Sequence, residues 1–147
     1  MIVLVDIDKT VADAWWRDHI WESGGWDEYH LQSIHDKVIV ATRTLVNCLW
    51  ASKHLIYGIT SRPGKYRDLT NRWLVDNNVM MHDVLMRPDD SFIPAPQVKL
   101  NLAREKFGPV LKDNIGLLIE DREDVVAAFL AEGVTCIHVR AGPSCSL

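Results

Sequence analysis

The uncharged run Met1-Ile2-Val3-Leu4-Val5 ends abruptly in Asp6-Ile7-Asp8-Lys9-Thr10, and this junction restricts the fold more than any other stretch. A segment so short, β-branched and uniformly apolar suits a strand covered on both faces of a parallel sheet. In open sheets of that kind ligands bind beyond the carboxyl ends of the strands, which puts Asp6 and Asp8 where chemistry is done. Two carboxylates one residue apart at a strand tip point to metal-assisted phosphoryl transfer. The competing assignment is local: Asp and Thr are good capping residues, and the pair could serve only to start a following helix.

The rest of the chain alternates strand and helix. Val38, Thr42, Leu45 and Leu49 recur at helical spacing, and Leu55-Ile56-Tyr57-Gly58-Ile59 reads as a second buried strand. Leu69 and Trp73 mark a helix from about Tyr66 to Asp76, followed by a strand at Val84-Leu85-Met86. Val98, Leu102 and Phe107 lie on a helix closed by Gly108-Pro109, and Ile115-Gly116-Leu117-Leu118-Ile119 is a fourth strand. A helix from Val125 to Leu130, ended by Gly133, leads to a fifth strand from Val134 to Val139. The pattern predicts a three-layer, doubly wound α/β fold with a parallel sheet. Residues 11–36 interrupt it with Trp15, Trp16, Trp21, Trp26 and Gly24-Gly25, as expected of a flap inserted after the first strand. Its aromatics could stack on a base, exclude water, or form a small core of their own. The small, polar tail from Ala141 to Leu147 reads as a frayed end.

The length suits a single domain, 1–147, and 48% hydrophobic content is enough for a core. A formal charge of -4 argues against a broad basic surface gripping a long duplex, though not against a short local contact. The opening residues leave no room for a secretion signal, and no run of apolar residues is long enough to span a membrane, so a soluble cytoplasmic protein is expected. Cys48, Cys136 and Cys145 cannot all pair within the chain and lack close metal-ligand spacing, which suggests reduced thiols and no zinc.

Three further signals fall at or just after predicted strand ends. Thr60-Ser61-Arg62 follows the second strand, where hydroxyls can hydrogen-bond a phosphate and Arg62 can grip one bidentately, although a plain turn before Pro63-Gly64 fits as well. Lys99 opens the helix after the third strand and, taken singly, would be a solvated surface residue. Glu120-Asp121 ends the fourth strand, where adjacent acids repel unless a cation lies between them and Asp6, or unless Asp121 caps a helix.

The series Asp-x-Asp-x-Thr, then Thr or Ser, then Lys, then an acidic pair resembles the haloacid dehalogenase (HAD) superfamily of phosphotransferases over nearly the whole chain. That resemblance implies that Asp6 is a nucleophile forming an aspartyl-phosphate and that Asp8 is the general acid and then base. It also implies that Thr60 and Lys99 bind phosphate, and that Asp6, Asp121 and the Asp8 backbone carbonyl hold Mg²⁺ beside Glu120. Mg²⁺ favours hard oxygen ligands of this kind. Within the superfamily the chain is similar to the phosphatase domain of bacteriophage-type polynucleotide kinase/3'-phosphatases. Arg17, eleven residues after Asp6, stands where that family carries a flap arginine; Thr60-Ser61-Arg62 resembles its Ser-Gly-Arg; Leu85-Met86-Arg87-Pro88, Asp90, Val98-Lys99 and Glu120-Asp121-Arg122 continue in order. By this likeness Arg17 and Arg62, with Thr10, Thr60 and Ser61, would bind the phosphate of a polynucleotide 3' end.

The chain departs from the pattern at three places. Lys9 replaces the usual glycine of the first motif, Ala95 stands where an acid is usual, and Glu120 where Asp is common. No Walker-type Gly-Lys-Ser/Thr loop occurs in these residues, so phosphatase activity alone is expected, with a phosphorylated nucleic-acid end or nucleotide as substrate and no obligate protein partner evident. A mononucleotide phosphatase of the same chemistry is the main alternative. A phospho-accepting receiver domain would carry its acceptor Asp on a middle strand, whereas here the candidate nucleophile ends the first; a catalytically dead binding module would not be expected to keep both Asp6 and Asp8.

Overall fold

A computed structural model describes residues 1–142. The expected frayed tail lies, from residue 143 onward, outside the described residues, as does Cys145. Strand β1 (Ile2–Val5) is the centre of a five-stranded sheet in the order β5-β4-β1-β6-β7, formed with β4 (Leu55–Pro63), β5 (Asp83–Arg87), β6 (Ile115–Glu120) and β7 (Cys136–His138). All four pairings are parallel. Because side chains alternate across a strand, Val3 and Val5 enter one apolar layer and Leu4 the other, each fully buried. Burial of that kind contributes about 1.5–3 kcal/mol per large aliphatic side chain.

Helices α3 (Val40–Ala51) and α4 (Arg67–Asp76) cover the first face, where Val46, Trp73 and Leu74 join Val3 and Val5. Helices α5 (Ala95–Phe107) and α7 (Glu123–Ala131) cover the second, where Ala103, Val125 and Phe129 meet Leu4 and Ile59; a short helix, α6 (Leu111–Asn114), adds Leu111. This is the three-layer, doubly wound α/β fold that the alternation predicts. Gly108 and Gly133 follow α5 and α7 with φ of +96° and +78°, the left-handed turn that ends helices at little steric cost. Among the described residues no helix is long and apolar enough to cross a membrane.

Several boundaries differ from expectation. Val38 belongs not to α3 but to β3 (Lys37–Val38), which pairs antiparallel with β2 (Ala12–Asp13) and closes the base of the flap. Strand β4 does not stop at Ile59: it runs through Thr60-Ser61-Arg62 to Pro63 with a register break between Thr60 and Pro63. Helix α5 begins at Ala95, so Lys99 lies a turn inside it rather than at its start. Strand β7 is shorter than the apolar run 134–139 suggests.

The segment after β1 starts no helix, which removes the capping role for Asp6 and Asp8. The Ile7 carbonyl instead accepts the N–H groups of Thr10, Val11 and Ala12, folding the chain back on itself. Lys9 takes the left-handed conformation there (φ 65°) in place of glycine, and its ammonium pairs with Asp18 at 2.8 Å. The flap then holds a 3-10 turn at Trp15–Arg17, α1 (Asp18–Glu22), α2 (Trp26–Leu31) and a second 3-10 turn at Gln32–His35. Its aromatics form a partial cluster, with Trp21 and Trp26 at 4.4 Å and Tyr29 edge-on to Trp21, yet Trp16, Trp21 and Trp26 stay exposed. Residues 11–36 are too short to enclose four indoles. The flap is fastened to the body by His30, stacked on Tyr66 at 4.8 Å, and by Trp73, whose indole N–H donates to the Asp36 carbonyl at 2.8 Å.

A left-handed non-glycine residue costs about 1–2 kcal/mol, and a half-exposed ion pair returns under about 1 kcal/mol. Lys9→Gly is therefore expected to leave stability unchanged or raise it by up to about 1 kcal/mol in denaturant unfolding; a clear loss would show that the Lys9–Asp18 pair outweighs the backbone term. Burial pushes the His30 imidazole down to about 4, and its Nδ1 is buried with no hydrogen-bond partner. A base whose folded value is depressed makes the unfolded chain bind more protons, so its share of stability is lost as pH falls from about 6.5 towards 4. His30→Phe, which keeps the ring and abolishes the charge, should flatten that fall in melting temperature; an unchanged pH slope would refute the assignment.

Candidate active site at the carboxyl end of the central strand

Asp6 leaves β1 with its N–H bonded to the Ile119 carbonyl of β6, so the sheet itself fixes its position. One oxygen of its carboxylate accepts Lys99 Nζ at 2.6 Å and the other accepts Thr10 Oγ1 at 3.0 Å. Lys99 reaches up from α5, almost wholly buried, and donates also to Glu120 Oε2 at 2.6 Å. The second Glu120 oxygen takes the N–H groups of Asp121 and Arg122 at 3.1 and 3.0 Å. Glu120 is thereby committed to the lysine and to the turn after β6. Asp121 does not cap α7, whose N-cap is Arg122; its carboxylate turns back instead, to 3.4 Å from Thr10 Oγ1.

Ligand oxygens of Asp6, Glu120 and Asp121 all lie within 4.8 Å of one another. Burial, then the negative charges of Glu120, Asp121 and Asp8, push the Asp6 carboxyl well above its usual range, against the pull of Lys99. Burial and the Glu120 carboxylate likewise push Asp121 up to about 6. Three carboxylates facing one ammonium are short of positive charge, and their donors are all hard oxygens. Such a set fits Mg²⁺, which takes one or two carboxylates and keeps its remaining positions for water or phosphate. Asp6 and Asp121 keep more open lone pairs than Glu120, one oxygen of which already takes two N–H groups.

Asp8 faces the other way. Arg62 grips it bidentately, Nε to Oδ2 at 2.9 Å and a terminal nitrogen to Oδ1 at 2.7 Å, while its remaining terminal nitrogen donates to Thr70 Oγ1 of α4 at 3.2 Å. Arg17 of the flap adds a contact to Asp8 Oδ1 at 2.5 Å. Burial alone would raise the Asp8 carboxyl, but the two guanidinium groups, Arg62 foremost, hold it far below the usual carboxylate range. Thr60 accepts the Arg62 N–H on its hydroxyl at 3.2 Å and so shapes the irregular end of β4. Ser61 sits beside it, half-buried, with its carbonyl taken by Arg87 Nε at 3.0 Å.

The predicted residues thus separate into two adjoining groups, one of Asp6, Thr10, Lys99, Glu120 and Asp121, the other of Asp8, Arg17, Thr60 and Arg62, with Ser61 at the edge. The structure adds partners that the sequence reading passed over. Asp36 accepts Arg17 Nε at 2.9 Å and its terminal nitrogen at 2.7 Å; the Tyr29 carbonyl takes the other terminal nitrogen at 3.0 Å, and the Tyr29 ring lies under the guanidinium at 4.2 Å. His30, stacked on Tyr66, borders the same group. The one signal for Asp36 was indirect: buried arginines require as many buried acids, and Asp8 alone does not suffice for two.

Strand β1 is first along the chain but central in the sheet, so a nucleophile at its end does not by itself separate this fold from a receiver domain.

Two chains of the Pnkp1/Rnl/Hen1 RNA repair complex share the fold, with TM-scores of 0.78 and 0.75 at 20% and 16% identity. The alignments cover 94% of this chain but only 45% and 42% of theirs, so this chain spans less than half their length. A HAD family enzyme of Bacteroides thetaiotaomicron, solved with magnesium and inorganic phosphate, aligns at a TM-score of 0.57 and 13% identity over 99% of this chain and 96% of its own. At such identities the likeness is one of fold. No curated protein matches the chain. The family described as the polynucleotide kinase PNKP phosphatase domain matches residues 1–143, and the chain belongs to that family of HAD phosphatases.

Proposed function

We propose that this domain is a Mg²⁺-dependent phosphomonoesterase that works through an aspartyl-phosphate on Asp6 and removes the 3'-phosphate from polynucleotide ends. The observation that carries the reading is the division at the tip of β1: Asp6 is held between Lys99 and Thr10 against an acid cluster, while Asp8, two residues on, is held between two arginines. Asp6, Asp121 and the Asp8 backbone carbonyl would hold the metal, with Glu120 fixing Lys99 behind them. When bound, Mg²⁺ offsets the negative charge of the cluster and of the transferring phosphoryl group.

Asp6 attacks phosphorus; its new O–P bond forms as the bond from phosphorus to the leaving oxygen breaks. Asp8 as the carboxylic acid delivers a proton to that oxygen, then as the carboxylate removes one from the water that attacks the aspartyl-phosphate. Inorganic phosphate leaves and both carboxyl groups return to their starting states. Asp8 must carry a proton at the first step, yet Arg62 and Arg17 hold it ionised. A substrate phosphate competes for the same guanidinium N–H groups, and taking them from Asp8 restores its capacity to bind a proton. The Thr60 hydroxyl proton and the Lys99 ammonium would meet the phosphate oxygens.

The family match and the fold shared with chains of an RNA repair complex support a nucleic-acid end as substrate. The magnesium and phosphate of the similar HAD enzyme support the metal. A second reading, hydrolysis of free mononucleotides, is favoured by the net charge of -4 and by Asp18, Glu22, Asp27 and Glu28 on the flap, which would repel a long strand. Phosphate release from a 3'-phosphorylated oligonucleotide, a 5'-phosphorylated one and free 3'- and 5'-mononucleotides separates them. Release mainly from the first, abolished by EDTA, is expected; preference for mononucleotides would install the second reading.

Asp6→Asn should abolish turnover, because an amide cannot form the acyl-phosphate, while the protein stays folded; an active variant would end the mechanism. Arg62 is buried against Asp8 and Thr70, so its removal would also leave the half-buried Asp8 carboxylate to Arg17 alone and cost stability. Arg62→Lys is therefore the better probe: losing the bidentate fork should lower kcat on the order of 10–100-fold with a modest drop in melting temperature. Without metal, Asp121 at about 6 lies above the ordinary aspartate value, so its contribution to stability is present in acid and lost as pH rises through about 6. Melting temperature in EDTA should fall across that range, and Mg²⁺ should abolish the fall; parallel curves with and without Mg²⁺ would show that the cluster holds no cation.

A further inference from the structure

We propose that Asp36 is a positioning residue for the phosphoryl-transfer site: a buried carboxylate that keeps Arg17 and Arg62 side by side and aimed at the phosphate when Asp8 lets go of them. The proposal rests on the phosphatase reading and assigns Asp36 no contact with substrate.

Four groups form a closed ring of alternating charge. Asp36 Oδ2 lies 2.7 Å from a terminal nitrogen of Arg17, which lies 2.5 Å from Asp8 Oδ1; that oxygen lies 2.7 Å from a terminal nitrogen of Arg62, which returns to Asp36 Oδ2 at 3.7 Å. The two acids differ in access. The Asp8 side chain is 23% exposed and that of Asp36 is 0% exposed, so an incoming phosphate can displace the first and cannot reach the second. Once Asp8 is displaced, two neighbouring guanidinium groups would repel each other unless another anion lay between them.

The place of Asp36 is set independently of both arginines. Its backbone carbonyl accepts the Trp73 indole N–H of α4 at 2.8 Å, and its Oδ1 accepts the Trp16 indole N–H at 2.9 Å. It stands at the close of the flap, directly before β3, and so ties the flap that supplies Arg17 to the helix that flanks Arg62. Its bond to Arg17 is bidentate through Nε and a terminal nitrogen, which fixes the plane of the guanidinium as well as its position. The terminal nitrogen that Arg17 gives to Asp36 also donates to Asp8, where the phosphate is to arrive.

The test uses Asp36→Asn and Asp36→Glu, each alone and combined with Arg17→Lys, assayed with Mg²⁺ on p-nitrophenyl phosphate and on a 3'-phosphorylated oligonucleotide. Asp36→Asn is expected to lower kcat about 10- to 100-fold with KM changed less than about threefold, as for loss of an oriented donor used in the transition state. Asp36→Glu keeps the charge and the fold but moves the guanidinium, so it should show a smaller loss in the same direction. In the Arg17→Lys background either substitution should cost under about threefold, because residues acting through one another are not additive. Full additivity, or Asp36→Glu with wild-type kcat, overturns the proposal.

A second readout does not depend on turnover. The Arg17 Nε–H resonance, identified by its disappearance in Arg17→Lys, should be protected from exchange in the wild type and lose protection in Asp36→Glu and in folded Asp36→Asn. Retained protection overturns the positioning role. Lost protection in a protein that hydrolyses neither substrate would uphold it and defeat the phosphatase reading instead.

Discussion

Charge balance at the end of β1 governs this structure. Five carboxylates (Asp6, Asp8, Asp36, Glu120 and Asp121) and three cations (Arg17, Arg62 and Lys99) crowd the tip of one strand, all but Asp8 and Asp121 buried. An unpaired ion in such a place costs several kcal/mol, so the cations cannot be spectators. They arrive from three separate directions: Arg17 from the flap, Arg62 from the end of β4, Lys99 from within α5. Satisfying the acids therefore draws the flap, the sheet and one helix layer onto the same few ångströms, and the active arrangement and the tertiary arrangement become one constraint.

The imbalance is not spread evenly. On the side of Asp8 two arginines meet two aspartates, and the formal charge is zero. On the side of Asp6 one lysine meets three carboxylates, leaving two negative charges. In the proposed mechanism the divalent cation takes the side of the deficit, beside the proposed nucleophile, while the balanced side exchanges one anion for another. That partition explains how two aspartates separated by a single residue can have opposite surroundings: Asp6 is pushed up by burial and by the acids around it, and Asp8 is held down by its arginines. Pairs of titratable groups whose environments diverge in this way are the usual basis for dividing nucleophilic and acid-base work.

The sheet was readable because its signals are local. Apolar runs at 2–5, 55–59 and 115–119 and glycines after helices carry their meaning within a few residues, and the structure departs from them mainly at ends, where tertiary pairing extends β4 and shortens β7. Acidic and hydroxyl residues at strand tips were legible for the same reason. What escaped was whatever depends on partners distant in sequence. Nothing near Asp36 tells it from a surface acid; its burial follows from Arg17, nineteen residues before it, and from Trp73 on another helix. Lys9 shows the opposite limit: the turn it occupies was legible, but that lysine could hold a left-handed conformation with Asp18 as partner needed coordinates.

The same charge ring bears on how a substrate enters. Lifting the flap as a body would carry Asp36 with Arg17, drawing Arg17 away from Asp8 and Asp36 away from Arg62 and Trp73, a costly separation of buried charge. Replacing Asp8 by an incoming phosphate keeps every guanidinium matched to an anion and requires no such separation. The lower-cost route is thus through the exposed edge of Asp8 with the flap in place. A phosphate that protrudes on a single ester bond can enter by that edge, whereas one embedded in a continuous backbone would have to bring chain on both sides past the acidic flap, and this asymmetry favours a terminal phosphomonoester.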